Sequence, residues 1–128
     1  MSNNALPKPT EAELELLAAL WVSGSATVRE LFEMLSRDRP RGYTSVLKTL
    51  QIMTDKGLVE RTELGKAHVY RAAATQSETQ SQLLRDLTTR LFAGSAAQLA
   101  MHALSMEAVN ADELREIEKL IDAKRGAS

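Results

Sequence analysis

Apolar residues recur at helical spacing in three segments before residue 57 and alternate with polar residues in two short runs after it. The first two segments begin with T-x-x-E capping boxes, "TEAE" from Thr10 and "TVRE" from Thr27, and the charged loop "SRDRPRG" precedes the third. The third segment is predicted to form a helix that is capped near Thr44 and ended by Gly57. The runs "LVERT" and "AHVYRA", joined by "ELGK", predict a β-hairpin.

The chain becomes polar after Ala74 and then turns helical again. Three helices are predicted there, from about Ser77 to Phe92, from about Ser95 to Met106 and from Asn110 onward. About fifty residues bury little core by themselves, so their apolar stripes are expected to pack against a second copy of the chain. The predicted dimer interface comprises Leu84, Leu87, Leu91, Phe92, Leu99, Met101, Leu104, Leu114, Ile117, Leu120 and Ile121.

Three helices followed by a hairpin is the element order of a winged helix-turn-helix domain. The predicted fold class is therefore mainly α with a small β-hairpin wing, followed by a helical dimerisation domain. The predicted division is a flexible arm at residues 1–9, a winged-helix DNA-binding domain at residues 10–74 and a helical dimerisation domain at residues 75–128.

The composition is that of a soluble globular protein, because 44% of the 128 residues are apolar and 26% are charged. The sequence has no cysteine, which excludes disulfides, thiolate metal sites and cysteine catalysis. No signal peptide or membrane span is recognised, which predicts a cytoplasmic protein without membrane insertion. Neither catalysis nor a metal nor another cofactor is expected, because no catalytic set, phosphate-binding glycine loop or metal-ligand cluster is found.

The charge is unevenly distributed along the chain. From Arg37 to Arg71 there are eight Lys or Arg residues and four Asp or Glu residues, a net charge of +4, whereas the rest of the chain carries −5. A basic centre between acidic flanks indicates an anionic partner for that centre.

The third predicted helix has one apolar face, formed by Val46, Leu47, Leu50 and Met53, and one polar face that suits the major groove of double-stranded DNA. Ser and Thr hydroxyls, Gln amides and Lys can meet base edges there, and Thr or Ile can touch a thymine methyl group. The residues predicted to read bases are Thr44, Ser45, Lys48, Thr49, Gln51 and Ile52. The residues predicted to contact phosphates, which supply most of the affinity, are Arg41, Tyr43, Arg61 and Lys66.

Nearly the whole chain resembles the penicillinase-repressor family (BlaI/MecI). "LPKPTEAELELLAALW" resembles the family's opening, "GYTSVLKTLQIMTDKGLVERTELGKAHVY" its recognition helix and wing, and "SQLLRDLTTRLFAGSAAQLAMHAL" its C-terminal part. The resemblance implies a homodimeric transcriptional repressor whose winged-helix domain binds a palindromic operator and whose C-terminal helices form the dimer. Family members typically repress β-lactamase-type or copper-homeostasis genes.

Two features depart from the family's pattern. The copper-responsive branch has a Cys-rich C-terminal motif that this chain lacks, so copper sensing by that route is not expected. In the β-lactam branch a membrane sensor triggers cleavage of an Asn–Phe bond, and the matching position here is His102–Ala103. That pair is the candidate regulatory cleavage site, and a membrane sensor-protease system is a candidate partner.

Two other functions fit the same element order. The winged helix could be a protein-interaction module without DNA binding, or a small molecule between the C-terminal helices could regulate the chain. Alternatives also stay open for single residues. Tyr43 either touches a phosphate or packs the entry to its helix, and Tyr70 is expected to anchor the hairpin to the core. His68 is expected to be exposed on the wing, and His102 is expected at the dimer interface.

Overall fold

The computed structural model describes residues 7–127, which form six helices and a three-stranded antiparallel sheet. In chain order the elements are α1 (Glu11–Ser23), β1 (Ala26–Thr27), α2 (Val28–Ser36), α3 (Tyr43–Lys56), β2 (Val59–Leu64), β3 (Ala67–Ala72), α4 (Gln76–Leu91), α5 (Ala96–Met106) and α6 (Ala111–Ala127). The fold class predicted from the sequence, mainly α with a small β wing, is confirmed.

The Cα positions group into two compact units, Met1–Leu84 and Arg85–Ser128, and α4 contributes residues to both. The predicted division into an arm, a DNA-binding domain and a dimerisation domain stays a prediction. Residues 1–6 of the predicted arm lie outside the described residues.

The helices begin where capping boxes satisfy the free amides of the first turn. At α1 the Thr10 hydroxyl accepts a hydrogen bond from the Glu13 amide at 3.2 Å, and the Glu13 carboxylate accepts one from the Thr10 amide at 2.8 Å. The same reciprocal bonds precede α2 at Thr27–Glu30, α4 at Thr75–Glu78 and α6 at Asn110–Glu113. The sequence prediction missed the box before α4, which starts that helix at Gln76.

Two details differ from the sequence prediction. The predicted cap near Thr44 is wrong, because α3 begins at Tyr43 with Gly42 as its N-cap and Thr44 lies inside the first turn. Gly42 makes no side-chain cap bond to α3. The sheet also has a third strand, β1, which the sequence did not predict. It has two residues, too few for an alternating pattern, and Thr27 is at the same time the N-cap of α2.

The core of the first unit lies between the three N-terminal helices and the sheet. β3 is the central strand and pairs with β1 and β2, so that Ala26 and Arg61 both lie opposite Tyr70. Tyr70 is 1% exposed, which confirms that it anchors the hairpin to the core. The other buried apolar residues are Leu16, Leu17, Leu20, Ala26, Val28, Leu31, Leu35, Val46, Leu50, Met53, Leu58 and Val59. Burying each large side chain contributes about 1.5–3 kcal/mol to the free energy of unfolding.

A buried ion pair ties the C-terminal end of α3 to α1. The Nζ atom of Lys56 lies 2.6 Å from Oε1 of Glu13, whose side chain is 5% exposed, and 3.3 Å from the carbonyl oxygen of Lys8. Burial acts to raise the pKa of Glu13, but the hydrogen bonds from Lys56 and from the Thr10 amide outweigh it and hold this pKa below its usual value. Gly57 then ends α3 in the left-handed conformation, as predicted.

Replacement of Glu13 by Gln is expected to lower the free energy of unfolding by about 1–3 kcal/mol at pH 7, because Lys56 loses its charged partner in a largely buried site. A depressed pKa in the folded state stabilises the fold above the unfolded-state pKa, and this stabilisation is lost as the pH falls through the folded-state pKa. The difference between wild type and Glu13→Gln in urea unfolding should therefore shrink below about pH 4.5. Glu11→Gln, an exposed acid of the same turn, is the control. An equal loss of unfolding free energy in Glu11→Gln would contradict the stabilising role of the Glu13–Lys56 pair. So would a difference between wild type and Glu13→Gln that does not vary with pH.

Candidate nucleic-acid interface

The two faces of α3 separate as the sequence predicts. Val46, Leu50 and Met53 are buried in the core, and Leu47 is half-buried. Among the six residues predicted to read bases, Thr44, Ser45, Lys48, Gln51 and Ile52 are exposed, whereas Thr49 is half-buried. The first unit therefore presents Ser and Thr hydroxyls, one Gln, one Lys and one Ile on a helix whose other face is buried in the core.

Thr49 differs from its neighbours because its hydroxyl already has a partner. Its Oγ1 donates a hydrogen bond to the carbonyl oxygen of Ser45, one turn earlier, at 2.9 Å. The methyl group of Thr49 makes no hydrogen bond. A methyl group of this kind can contact the C5-methyl group of thymine in the major groove. The structure thus commits the hydroxyl proton of Thr49 to Ser45, and the base contact predicted for Thr49 stays a prediction.

Aromatic packing positions Tyr43 at the entry to α3. Its ring meets the ring of Phe32 edge to face, with the centroids 5.5 Å apart, and the guanidinium carbon of Arg29 lies 5.3 Å from the centroid of the Tyr43 ring. Tyr43 is nevertheless 39% exposed. The ring therefore packs the entry to the helix, and the phosphate contact predicted for its hydroxyl stays a prediction.

Arg41 lies immediately before α3 and is held by two bonds inside the protein. Its guanidinium donates to Oε1 of Glu15 on α1 at 2.8 Å and to the carbonyl oxygen of Leu35, in the last turn of α2, at 3.2 Å. The side chain is 15% exposed. The hydrogen bond from Arg41 lowers the pKa of Glu15, and Arg39 contributes to the same carboxylate from 3.3 Å. The phosphate contact predicted for Arg41 stays a prediction.

The wing presents its basic residues on an exposed hairpin. Gly65 takes a positive φ of 65° at the turn, next to the exposed Lys66. Arg61 lies opposite Tyr70 and so shares its face of the sheet, but unlike Tyr70 it is exposed. His68 is exposed beside Glu63, with 3.7 Å between Nε2 and a carboxylate oxygen, in agreement with the expectation of an exposed wing residue. The phosphate contacts predicted for Arg61 and Lys66 stay predictions.

Residues 85–127 include no buried residue. Of the eleven residues predicted at the dimer interface, Phe92, Leu99 and Ile117 are half-buried and the other eight are exposed by 41% or more. The ring centroids of Phe92 and His102 are 6.0 Å apart within this unit. The candidate cleavage pair, His102 and Ala103, is exposed in the middle of α5.

Sequence reasoning missed three contacts at the entry to α3. Glu15 binds Arg41 across 26 residues of sequence, Arg39 binds the same Glu15 carboxylate, and the Arg29 guanidinium lies over the Tyr43 ring. Hydrophobic periodicity reports the faces of single helices, so it carries no signal for these pairings.

Other kinds of site receive no support from the described residues. Within residues 7–127, no three His, Asp or Glu side chains are grouped as a metal site requires. No helix in that range combines the length and apolarity that a membrane span needs.

Comparisons with known proteins give a family and a fold. A family model described as penicillinase repressor matches residues 9–123. A penicillinase repressor of Bacillus licheniformis is 19% identical over 117 residues, which cover 91% of each chain. Both matches extend through the winged-helix unit and the C-terminal helices.

Solved structures show the same architecture. The DNA-binding domain of the repressor BlaI aligns with a TM-score of 0.52 and 23% identity, covering 61% of this chain and 93% of that domain. RosR of H. salinarum aligns with a TM-score of 0.52 and 17% identity, covering 94% and 96% of the two chains. At these identities the structures establish the fold alone, whereas the family model matches most of the sequence. The chain belongs to the penicillinase repressor family.

Proposed function

We propose that this protein is a homodimeric, sequence-specific, DNA-binding transcriptional repressor that acts in the cytoplasm, binds a palindromic operator and is not an enzyme. The observation that carries the proposal is the exposed polar face of α3, whose opposite face is buried in the core. A helix anchored in this way can enter the major groove as a rigid element. Membership of the penicillinase repressor family supports the same conclusion.

In this proposal the exposed face of α3 reads the bases, and residues around α3 contact phosphates and supply most of the affinity. Thr44, Ser45 and Lys48 offer hydrogen-bonding groups from the first turns, and Thr49 offers a methyl group. Gln51 and Ile52 extend the same face. Lys66 and Arg61 on the wing, together with the Tyr43 hydroxyl, supply phosphate contacts, which position the protein without reading sequence.

The second copy is needed because the C-terminal unit cannot bury its own apolar residues. None of residues 85–127 is buried, although this stretch contains most of the predicted interface. A two-fold dimer would cover these side chains with the same side chains of the partner. Such a dimer presents two α3 helices related by symmetry, and its operator would then be palindromic.

Release by proteolysis is the regulatory part of the proposal and rests on the family resemblance. The matching pair, His102–Ala103, lies in the middle of α5, whose backbone must open locally before a protease can bind it in extended form. Incubation with a sensor-protease encoded by a neighbouring gene, followed by mass spectrometry, tests this part. A cut between His102 and Ala103 would support it, and an intact α5 would contradict it.

A gel-shift titration with the DNA upstream of the protein's own gene tests the proposed function. A specific complex should form at about physiological salt and survive an excess of unrelated DNA. If no specific complex forms, the rival interpretation, a winged helix that serves as a protein-interaction module, would be favoured instead.

Lys66→Ala is expected to weaken binding to operator and to unrelated DNA about equally, and to make the salt dependence shallower by about one unit, because one phosphate contact is lost. Lys119→Ala, which removes an exposed charge from α6, is the matched control and should change neither quantity. An unchanged salt slope for Lys66→Ala in fluorescence anisotropy would remove the wing tip from the interface.

Substitutions at Thr49 separate the roles of its methyl and hydroxyl groups. Thr49→Val keeps a methyl group and should retain the preference at one base position, whereas Thr49→Ser should relax it by up to about tenfold. Both variants are measured against operators substituted at each position. If Thr49→Ser preserved the preference and Thr49→Val lost it, hydrogen bonding rather than methyl contact would operate there.

A charge placed on the apolar surface of α4 should break the dimer. Leu87→Glu is expected to give a monomer in sedimentation equilibrium and to lower operator affinity by about 100-fold or more, because the two half-sites are then bound independently. Val22→Glu is the control, since Val22 is an apolar residue of the first unit with 85% of its surface exposed. A monomeric wild type, or a dimer that survives Leu87→Glu, would contradict the proposed interface.

A further inference from the structure

We infer that Glu15 is a positioning residue of the proposed DNA interface. It holds Arg41 as a structural strut, that is, a side chain whose bonds to α1 and α2 fix the start of α3. It holds Arg39 only loosely at the surface. The inference rests on the proposed function and assigns the phosphate contact of the loop before α3 to Arg39 rather than to Arg41. Arg39 exchanges the Glu15 carboxylate for an operator phosphate, while Arg41 stays in place.

The contacts of Arg41 are those of a structural strut. One guanidinium joins three elements, since it precedes α3, bonds to Glu15 on α1 and bonds to the carbonyl oxygen of Leu35 in α2. That carbonyl is one of the last in its helix and accepts two bonds from outside the helix, one from the Asp38 amide at 3.3 Å and one from Arg41 at 3.2 Å. A move of Arg41 to a phosphate would break both bonds and leave Glu15 close to the DNA with a weaker counter-charge. The 15% exposure of the side chain also limits its reach.

The contacts of Arg39 are those of a side chain that can be released. Its guanidinium nitrogen lies 3.3 and 3.4 Å from the two oxygens of Glu15, and 64% of the side chain is exposed. An ion pair of this kind contributes little to stability, so exchanging the carboxylate for a phosphate costs little. Glu15 keeps its shorter bond to Arg41 throughout the exchange.

The strut lies beside the surface that would read bases. Glu15, Arg39 and Arg41 line a concave pocket of about 220 Å³ together with Ser45 and Thr49 of α3. A shift of Arg41 would therefore be transmitted to the first two turns of α3, where the base-reading side chains begin. Gly42 offers no side-chain cap that could hold this helix end instead.

Salt titrations of operator affinity by fluorescence anisotropy distinguish a strut from a phosphate contact, with the duplex from upstream of the protein's own gene as probe. Arg39→Gln should make the salt slope shallower by about 0.9. Arg41→Gln should lower affinity by about tenfold at every salt concentration with the slope unchanged, the loss expected for one charge-assisted bond. The double variant Glu15→Gln/Arg41→Gln should bind no more weakly than Arg41→Gln alone. Lys119→Gln is the charge-removal control.

A shallower slope for Arg41→Gln with an unchanged slope for Arg39→Gln would overturn the inference. If circular dichroism shows that Arg41→Gln does not fold, Arg41→Lys tests instead whether Arg41 is a strut. This variant keeps the charge but loses the two-pronged geometry of the guanidinium. Near wild-type affinity for Arg41→Lys contradicts the strut, and a loss of about tenfold supports it. Absence of any specific complex with the wild-type protein would instead contradict the proposed function itself.

Discussion

The fold of the first unit depends on how α1 holds both ends of α3. Glu13 and Glu15 are two residues apart, and side chains at that spacing lie on different sides of a helix. Glu13 binds Lys56 in the last turn of α3, and Glu15 binds Arg41, two residues before α3 begins. The apolar packing of Val46, Leu50 and Met53 buries one face of α3 in the core. Directional, charge-assisted bonds at the two ends add constraints on the position of α3 along and around its axis.

This arrangement explains how a protein with a net charge of −1 can present a site for an anionic polymer. Glu13 and Glu15 of α1 are engaged with Lys56 and Arg41 at the two ends of α3. Lys48 on the helix and Lys66 on the wing remain exposed. Glu13 and Glu15 thus act by positioning basic side chains of the protein. The same logic assigns different roles to arginines that are close in sequence, since Arg41 is held and Arg39 can be released.

The sequence predicted those features that depend on local pattern. The capping boxes at Thr10, Thr27 and Asn110 mark helix starts, helical spacing separates the two faces of α3, and Gly65 marks the turn of the wing. It could not predict β1, which is held by pairing with the distant β3, or the start of α3, which has no side-chain cap. Nor could it predict the pairing of Arg41 with Glu15 or the packing of Tyr43 on Phe32, because spatial neighbours that are remote in sequence leave no periodic signal.

The central claim is that two symmetry-related α3 helices enter the major groove of one operator. Protection of guanine N7 atoms from methylation by dimethyl sulfate tests it most directly, because N7 lies in the major groove. The account predicts two protected clusters upstream of the gene, with their centres separated by one helical turn, about 10 base pairs, or by a multiple of it. Unchanged guanine reactivity in a specific complex, or protection of a single cluster, would contradict it.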